Sequence, residues 1–246
     1  MRPADREALC KQGEELCDQA IHSANQGEFE TALELFEKAE NLFSQIQDLH
    51  WLTFLRHEKL HSLIGLERVD EALELADKTV YGYLSTYNSR GLVPLLILKA
   101  TILIERKELN RALETIKTAE NIATQRGYAE LTNHILSTLA DCLMEQENFL
   151  EAIQALRELT PSEERKDQSE EYGWALLRLG VCFQAICHPD KAEGYFKSSS
   201  RVFQEADTPR LSLQSLSRLK RLYENAGREE KIRQVERQME HLEHLR

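Results

Sequence analysis

The chain has 246 residues, enough for one large domain or an extended array of repeats. It is 30% charged with a net charge of −11, and it carries only 5 Pro and 10 Gly. This charge argues against a general nucleic-acid-binding surface, because phosphate contacts need a basic face. The scarcity of helix breakers favours a helical protein.

The sequence also carries no pattern of a targeting or membrane segment. Its first residues, MRPADREALCKQGEE, are too polar for a signal peptide. No apolar run approaches the roughly 20 residues that a membrane span needs. The 5 cysteines form no CxxC pair, which predicts buried thiols in a reducing compartment. We therefore expect a cytoplasmic protein that binds neither membranes nor nucleic acid.

Short segments recur every 40 residues along the chain. ETALELF, DEALELA, NRALETI and LEAIQAL begin at residues 30, 70, 110 and 150. The third residue of each segment is an alanine, and the same step of 40 continues twice more. The six positions, termed anchors below, are Ala32, Ala72, Ala112, Ala152, Ala192 and Ile232. Four successive steps of 40 between alanines indicate an internal repeat.

Each repeat is predicted to be two antiparallel helices joined by a turn. Apolar residues within a repeat follow spacings of about 3, 4 and 7, which is helical. Twelve residues before the anchor the side chain is mostly small, so that two helix backbones can approach closely. These positions are Ala20, Leu60, Ala100, Ala140, Gly180 and Lys220. The predicted repeats cover approximately residues 4–45, 46–86, 87–127, 128–160, 161–206 and 207–246 of a single domain, 1–246.

Capping signals mark three helix starts. Thr208 is predicted to cap a helix that has Pro209 at its first position, and Ser89 is predicted to cap an earlier helix. The sequence TPSE at 160–163 predicts a capping box. The polar run 160–171 is left open between a loop and an extra exposed helical turn.

The last predicted helix, 229–246, departs from the repeat pattern. Lys220 and Glu236 stand at positions that are small or apolar in most other repeats. We interpret this helix as a polar cap, because nothing stacks on the final repeat of an array. Its apolar stripe is either the packing face or a seam for homo-oligomerisation, and it consists of Ile232, Val235, Met239 and Leu242.

These features together resemble the tetratricopeptide repeat family. The shared features are the helix-turn-helix unit, the small residue before the anchor, the anchor alanine and a small residue seven after it. The resemblance covers nearly the whole chain, although the period of 40 differs from the family's common 34 and looks like a longer-helix variant. It implies an all-α fold, a right-handed α-solenoid of about six helix-turn-helix repeats whose first helices line a concave groove.

The resemblance also implies which side chains line this groove, at 18, 15, 11 and 8 residues before each anchor. The predicted peptide-groove residues are Phe54, His57, His61, Ile64, Ile97, Thr101, Ile104, His134, Asp141, Met144, Trp174 and Leu177. Apolar anchors of this kind hold an amphipathic helix or an apolar peptide. The family's chaperone-tail binders use a Lys, Asn and Arg set that these positions lack in the first five repeats. The alternative is a closed array in which Phe54 and Trp174 are core residues.

The pentapeptide HEKLH at 57–61 matches the HExxH pattern of zinc peptidases. His57 and His61 would share one helix face and could hold a zinc ion, with Glu58 as the base. However, the match lies inside a repeat helix, and no further histidine follows in the HExxHxxGxxH pattern. We expect no metal, no cofactor and no enzymatic activity, with a zinc peptidase as the remote alternative.

The sequence therefore predicts a non-catalytic protein–protein interaction scaffold or adaptor. Its partner would be a protein or peptide that offers an apolar or amphipathic helix to the groove. A cytoplasmic regulator that senses a peptide or small ligand is the alternative. The charge is uneven, since residues 210–246 hold nine basic and six acidic residues, a net +3 against −14 for the rest. A further alternative is that this basic segment contacts an acidic partner or surface.

Overall fold

A computed structural model of the chain describes residues 2–160 and 170–244. In these residues the regular secondary structure is entirely helical, which confirms the predicted all-α class and its six helix pairs. A short 3-10 helix, Ala129–Leu131, precedes α7. The α-helices are α1 (Pro3–Asn25), α2 (Phe29–Gln45), α3 (Leu49–Gly65), α4 (Val69–Ser85), α5 (Ser89–Glu105), α6 (Leu109–Arg126), α7 (Thr132–Glu145), α8 (Phe149–Leu159), α9 (Glu170–Ala185), α10 (Pro189–Glu205), α11 (Pro209–Asn225) and α12 (Glu229–His244).

The helices form two compact units, Met1–Ile135 and Leu136–Arg246, termed unit 1 and unit 2. Within unit 1, each helix from α1 to α5 packs against the next one along the chain. Within unit 2, α8 packs on α9, α9 on α10, α10 on α11 and α11 on α12. Most of these neighbours are joined by turns of three residues, so they run antiparallel.

A left-handed residue follows the helix at nearly every turn, at a spacing of 20 residues rather than 40. Three of these residues are glycines, Gly27, Gly127 and Gly227. The other seven also have positive φ and are Gln47, Glu67, Tyr87, Lys107, Glu147, Cys187 and Asp207. The turns within repeats and those between repeats therefore share one geometry.

Backbone hydrogen bonds explain this regularity. At the end of α1, the Glu28 N–H donates to the Ser23 carbonyl, and the Gly27 N–H donates to the Ala24 carbonyl. This pair of bonds is the Schellman motif, which satisfies helix carbonyls only when the residue after the helix is left-handed. The same pair recurs at the other left-handed turns, so backbone satisfaction rather than residue type sets the conformation.

Paired positions of complementary size hold the two helices of a repeat together. The five anchor alanines are completely buried. A Cβ atom added to Gly180 would lie 2.5 Å from the Phe196 ring, so a small residue twelve before the anchor receives a large one four after it. In the second repeat the sizes are exchanged, since Leu60 and Ala76 are both fully buried at these positions. Each pair thus fills one volume in two different ways.

The last repeat replaces this apolar pair by an ion pair. The Lys220 ammonium lies 2.7 Å from the Glu236 carboxylate, with side chains 31% and 42% exposed. The apolar stripe of α12 faces the core of unit 2, where Val235 and Leu242 are buried and Ile232 and Met239 are half-buried. Of the two alternatives for this stripe, the structure shows the packing face.

Two predicted caps differ from the structure. Pro209 does begin α11 after Thr208, but the Thr208 hydroxyl donates to the Phe203 carbonyl and so closes the preceding helix. The cap of α5 is Asn88, whose side chain accepts from the Gly91 N–H, while Ser89 instead bonds to the Tyr128 hydroxyl. Most of the predicted capping box at 160–163 and most of the run 160–171 lie outside the described residues.

Candidate functional site

Three first helices of repeats surround a cavity of about 420 Å³ in unit 2. Helix α7 contributes Asp141 and Met144, and α9 contributes Trp174 and Leu177. These four residues are all predicted groove residues, and the structure brings them together. The other lining residues are Arg178, Val181, Gln214, Ser217 and Arg218, from α9 and α11. This cavity is termed the unit-2 pocket.

Trp174 joins the unit-2 pocket to the core beneath it. Its ring meets the Phe203 ring edge to face, with centroids 5.7 Å apart, and it packs against the core of unit 2 while remaining partly exposed. Met144 is half-buried in the same way, whereas Leu177 is buried. One part of the Trp174 side chain therefore packs against the core and another part lines the unit-2 pocket, so both alternatives apply to this residue.

A charged cluster forms the polar side of the unit-2 pocket. The Arg178 guanidinium lies 2.7 Å from the Asp141 carboxylate and also donates to the Ser137 hydroxyl at 3.0 Å. Burial raises the pKa of Asp141, and the neighbouring Arg178 opposes this rise. The pair links α9 to α7 and leaves the second arginine, Arg218 on α11, at the far side of the pocket.

Sequence reasoning missed both arginines of the pocket. Arg178 and Arg218 are 40 residues apart and each stands fourteen residues before its anchor. The groove prediction sampled the four positions that the resemblance implied and passed over this one. The signal was present, because Arg178 follows Trp174 by four residues and must share its helix face.

In unit 1 the predicted groove residues His57 and His61 lie along one face of α3. His57 Nδ1 is 2.8 Å from the Tyr83 hydroxyl, and the rings of His57 and His61 stack with centroids 6.2 Å apart. Burial, together with the charge of His61, lowers the pKa of His57 to about 4. Burial raises the pKa of Tyr83 to about 12, so the hydrogen bond joins a neutral imidazole to a protonated phenol at neutral pH.

The HEKLH segment does not assemble a zinc peptidase site in the described residues. Such a site needs a third protein ligand beside His57 and His61. Across residues 2–160 and 170–244, no three His, Cys, Asp or Glu side chains are grouped to hold a metal ion. Glu58, the predicted base, is half-buried, and its charge contributes with burial to raising the pKa of Cys17 on α1 to about 12.

The other predicted groove residues occupy partly exposed helix faces. Phe54 and Ile64 are half-buried on α3, and Phe54 also packs against the core of unit 1. On α5, Ile97 and Ile104 are half-buried and Thr101 is exposed. His134 is exposed in the first turn of α7.

The cysteines follow the predicted burial only in part. All five are free thiols, and Cys17, Cys142 and Cys182 are buried. Cys10 is half-buried, and Cys187 is exposed because it occupies the left-handed position of a turn. The prediction of buried thiols is therefore wrong for Cys187.

None of the described helices combines the length and the apolar character that crossing a membrane requires.

A family model described as tetratricopeptide repeat matches residues 131–205. This stretch contains α7 to α10, with the anchors Ala152 and Ala192. The match covers about a third of the chain. The predicted resemblance is thereby confirmed. No curated protein sequence matches the chain.

Solved structures share this fold along most of the chain. A Signal Transduction ATPase with Numerous Domains (STAND) protein with a tetratricopeptide repeat sensor, from Pyrococcus horikoshii, matches with a TM-score of 0.80 and 16% identity, over 94% of this chain and 36% of that one. BtubC (BKLC) from P. vanneervenii matches with a TM-score of 0.68 and 16% identity, over 93% and 91%. The Rap conjugation gene regulator of plasmid pLS20, solved in complex with the Phr* peptide, matches with a TM-score of 0.65 and 14% identity. The match covers 92% of this chain and 73% of the regulator.

At such identities these likenesses show the fold alone, and this chain spans about a third of the Pyrococcus protein. The tetratricopeptide-like repeat fold is typical of protein–protein interaction scaffolds.

Proposed function

We propose that this chain is a non-catalytic interaction scaffold that binds an apolar or amphipathic helical peptide on the first helices of its repeats. The observation that carries the proposal is the unit-2 pocket, where α7 brings Met144 and α9 brings Trp174 and Leu177 around one cavity that α11 also lines. A volume of a few hundred cubic ångströms with mainly apolar walls is typical of ligand-binding sites.

The shape of the pocket favours an inserted apolar side chain. Trp174 offers an aromatic face at low cost in conformational entropy, since its ring is already fixed against Phe203. Arg178 and Arg218 stand beside the apolar wall. A helix that inserts a Leu or Phe and carries polar residues one turn away matches both parts.

A cytoplasmic, peptide-sensing regulator is the second candidate function. One observation favours it, because the pLS20 regulator, a protein of the same fold, was solved in complex with the Phr* peptide. The five free thiols suit a reducing compartment. Both candidates use the same surface, so one binding experiment bears on both.

The test is a selection of random 16-residue displayed peptides on the purified chain, followed by affinity measurement of the enriched peptides. Trp174→Asp should weaken their binding at least tenfold, because it places a charge in the apolar wall. Arg218→Glu, a change on the exposed rim, is a second variant that leaves the core intact. Leu150→Asp is the matched control, since Leu150 is an apolar residue that is 71% exposed outside this pocket.

Circular dichroism establishes that each variant retains its helices. Peptides that keep full affinity for a folded Trp174→Asp and for Arg218→Glu would overturn the proposal for unit 2. Phe54→Asp asks the same question of α3 in unit 1. Loss of binding in Leu150→Asp alone would indicate that the peptide binds the second helices of the repeats, where Leu150 lies on α8.

A further inference from the structure

The opposite face of α11 borders a second groove in unit 2. Leu216 and Leu219 lie on this face, whereas Gln214 and Ser217 point into the unit-2 pocket. The second groove has a volume of about 550 Å³ and is formed by α10, α11 and α12. It is termed the α10–α12 groove, and it shares no lining residue with the unit-2 pocket.

The α10–α12 groove has an apolar floor and a basic rim. Leu216 and Val235 form part of the floor, and the rim carries Lys197, Arg201, Lys231 and Arg237. Among the described residues that line it, none is acidic. This is unusual for a chain with 42 acidic and 31 basic residues. The groove is thus a local positive surface on an acidic protein.

The two lysines are held at one end by a single carboxylate. Glu193 lies 2.7 Å from the Lys197 ammonium and 2.9 Å from that of Lys231. Partial burial raises the pKa of Glu193, but hydrogen bonds from Lys197, Lys231 and Tyr223 outweigh this and lower it to about 2. Glu193 therefore remains ionised, and one negative charge offsets only one of the two lysines.

The two arginines are less compensated. The nearest carboxylate to Arg201 is that of Glu205, at 4.0 Å. Arg237 lines the groove and donates through Nε to the Arg233 carbonyl in its own helix. Guanidinium groups bind carboxylates in a two-pronged geometry that fixes the partner's orientation.

We propose that the α10–α12 groove docks an acidic amphipathic segment of a partner protein. The partner's Asp or Glu side chains pair with Arg201 and Arg237, and its apolar side chains pack on the aliphatic stems of the rim residues, above the buried Leu216 and Val235. Charge complementarity selects this occupant, and the apolar floor favours protein over nucleic acid. The net charge of −11 further disfavours a long polyanion, and α12, with 16 residues, offers a docking length of only about 24 Å.

The test uses three 16-residue peptides with Leu at helical spacing and Glu, Gln or Lys at the remaining positions. Affinities for the whole chain are measured by fluorescence anisotropy at physiological salt. We expect the Glu peptide to bind at least tenfold more tightly than the Gln peptide and the Lys peptide to bind least. The double variant Arg201→Glu/Arg237→Glu should lose this affinity at least tenfold.

The matched control is Arg210→Glu/Arg233→Glu, which changes the net charge equally on α11 and α12 outside the groove. It should alter the affinity less than twofold. Absent binding, equal affinity for the three peptides, or an equal loss in both double variants would overturn the proposal. So would a 16-nucleotide single strand that binds through the same two arginines as tightly as the Glu peptide.

Discussion

At the scale of single residues, the left-handed turn positions are unusual because most of them are not glycine. Seven non-glycine residues adopt positive φ there. This conformation costs an ordinary residue about 1–2 kcal/mol relative to the right-handed form. The Schellman hydrogen bonds offset the cost, because they satisfy carbonyls that would otherwise be left unpaired.

Glycine at such a turn should stabilise the protein. Glu67→Gly relieves the strain at φ 58 and should raise the free energy of unfolding by about 0.5–1 kcal/mol, after the greater freedom of glycine in the unfolded chain is subtracted. Gly127→Ala, at φ 71 with no atom near its added Cβ, should lower it by about 1 kcal/mol. Urea denaturation of each variant measures these changes.

Gly194 supplies the control for this prediction. It also has open space around an added Cβ, but it lies inside α10 without a positive φ. Gly194→Ala should therefore stabilise the protein by about 0.5–1 kcal/mol. If Gly127→Ala and Gly194→Ala had the same sign, backbone conformation would not be the cause.

Because the pKa of His57 is lowered in the folded chain, we expect the protein to lose stability in acid. The His57 pKa is about 4 in the folded chain and near the ordinary 6.5 when unfolded, so between these values the unfolded chain binds the extra proton. Stability from this group is full above pH 6.5 and falls as the pH drops toward 4. Burial raises the pKa of the adjacent Glu58, which acts in the opposite direction, so a variant comparison is needed.

The comparison is between the wild-type chain and His57→Gln, which keeps a partner for Tyr83 but does not titrate. From pH 7 to 4.5 the wild type should lose about 2 kcal/mol more than the variant. His50→Gln, at an exposed histidine, should follow the wild type. Parallel curves for wild type and His57→Gln would show that His57 is accessible to protons in the folded chain.

At the scale of helices, the repeat depends on volume pairs rather than on fixed residue types. Gly180 with Phe196 and Leu60 with Ala76 occupy equivalent positions with opposite size order. The small residue twelve before most of the anchors was readable from the sequence, because its period is constant. The residue four after the anchor compensates in size for the residue twelve before it. A rule that allowed only small residues twelve before the anchor would therefore have excluded Leu60 from the pattern.

The exchange of sizes in the second repeat can be reversed. Leu60→Ala should destabilise the protein by about 2–4 kcal/mol through a cavity, and Ala76→Leu should cost about 1–3 kcal/mol through overpacking. The double variant restores the order found in the other repeats, so it should cost clearly less than the sum. Thermal and urea denaturation of the four proteins complete the cycle, and strictly additive costs would refute the pairing.

Helix boundaries were less predictable than helix pairing, for a local reason. Thr208 and Ser89 are residue types that cap helices, yet the Thr208 hydroxyl closes the previous helix and Ser89 reaches Tyr128. With only three residues between helices, one hydroxyl has donors and acceptors from both helix ends within reach. Sequence alone does not decide between them.

At the scale of the whole molecule, the sequence predicted the fold more fully than the surfaces. The constant period and the buried alanines defined the helix pairs. The groove positions implied by the family placed Trp174, Leu177, Asp141 and Met144 around the unit-2 pocket. They did not include Arg178, because the four positions omit the one fourteen residues before the anchor, although Arg178 shares a helix face with Trp174.

The charge distribution gives a further example at this scale. The sequence showed a basic excess in residues 210–246, but α12 by itself is acidic and α10 is balanced. Only packing places Lys197 and Arg201 of α10 opposite Lys231 and Arg237 of α12. The α10–α12 groove is therefore a property of the folded unit.

The most direct test of the scaffold account is the fluorescence of Trp174 during peptide binding. Trp51→Phe leaves Trp174 as the single tryptophan, and the stack on Phe43 accepts another aromatic ring. Titration with a peptide enriched in the selection described above should shift the Trp174 emission to the blue, because its exposed face becomes covered. Saturation should give the dissociation constant measured independently for the same peptide. A peptide that binds with the same constant while the Trp174 emission stays unchanged would contradict a peptide site on the first helices of unit 2.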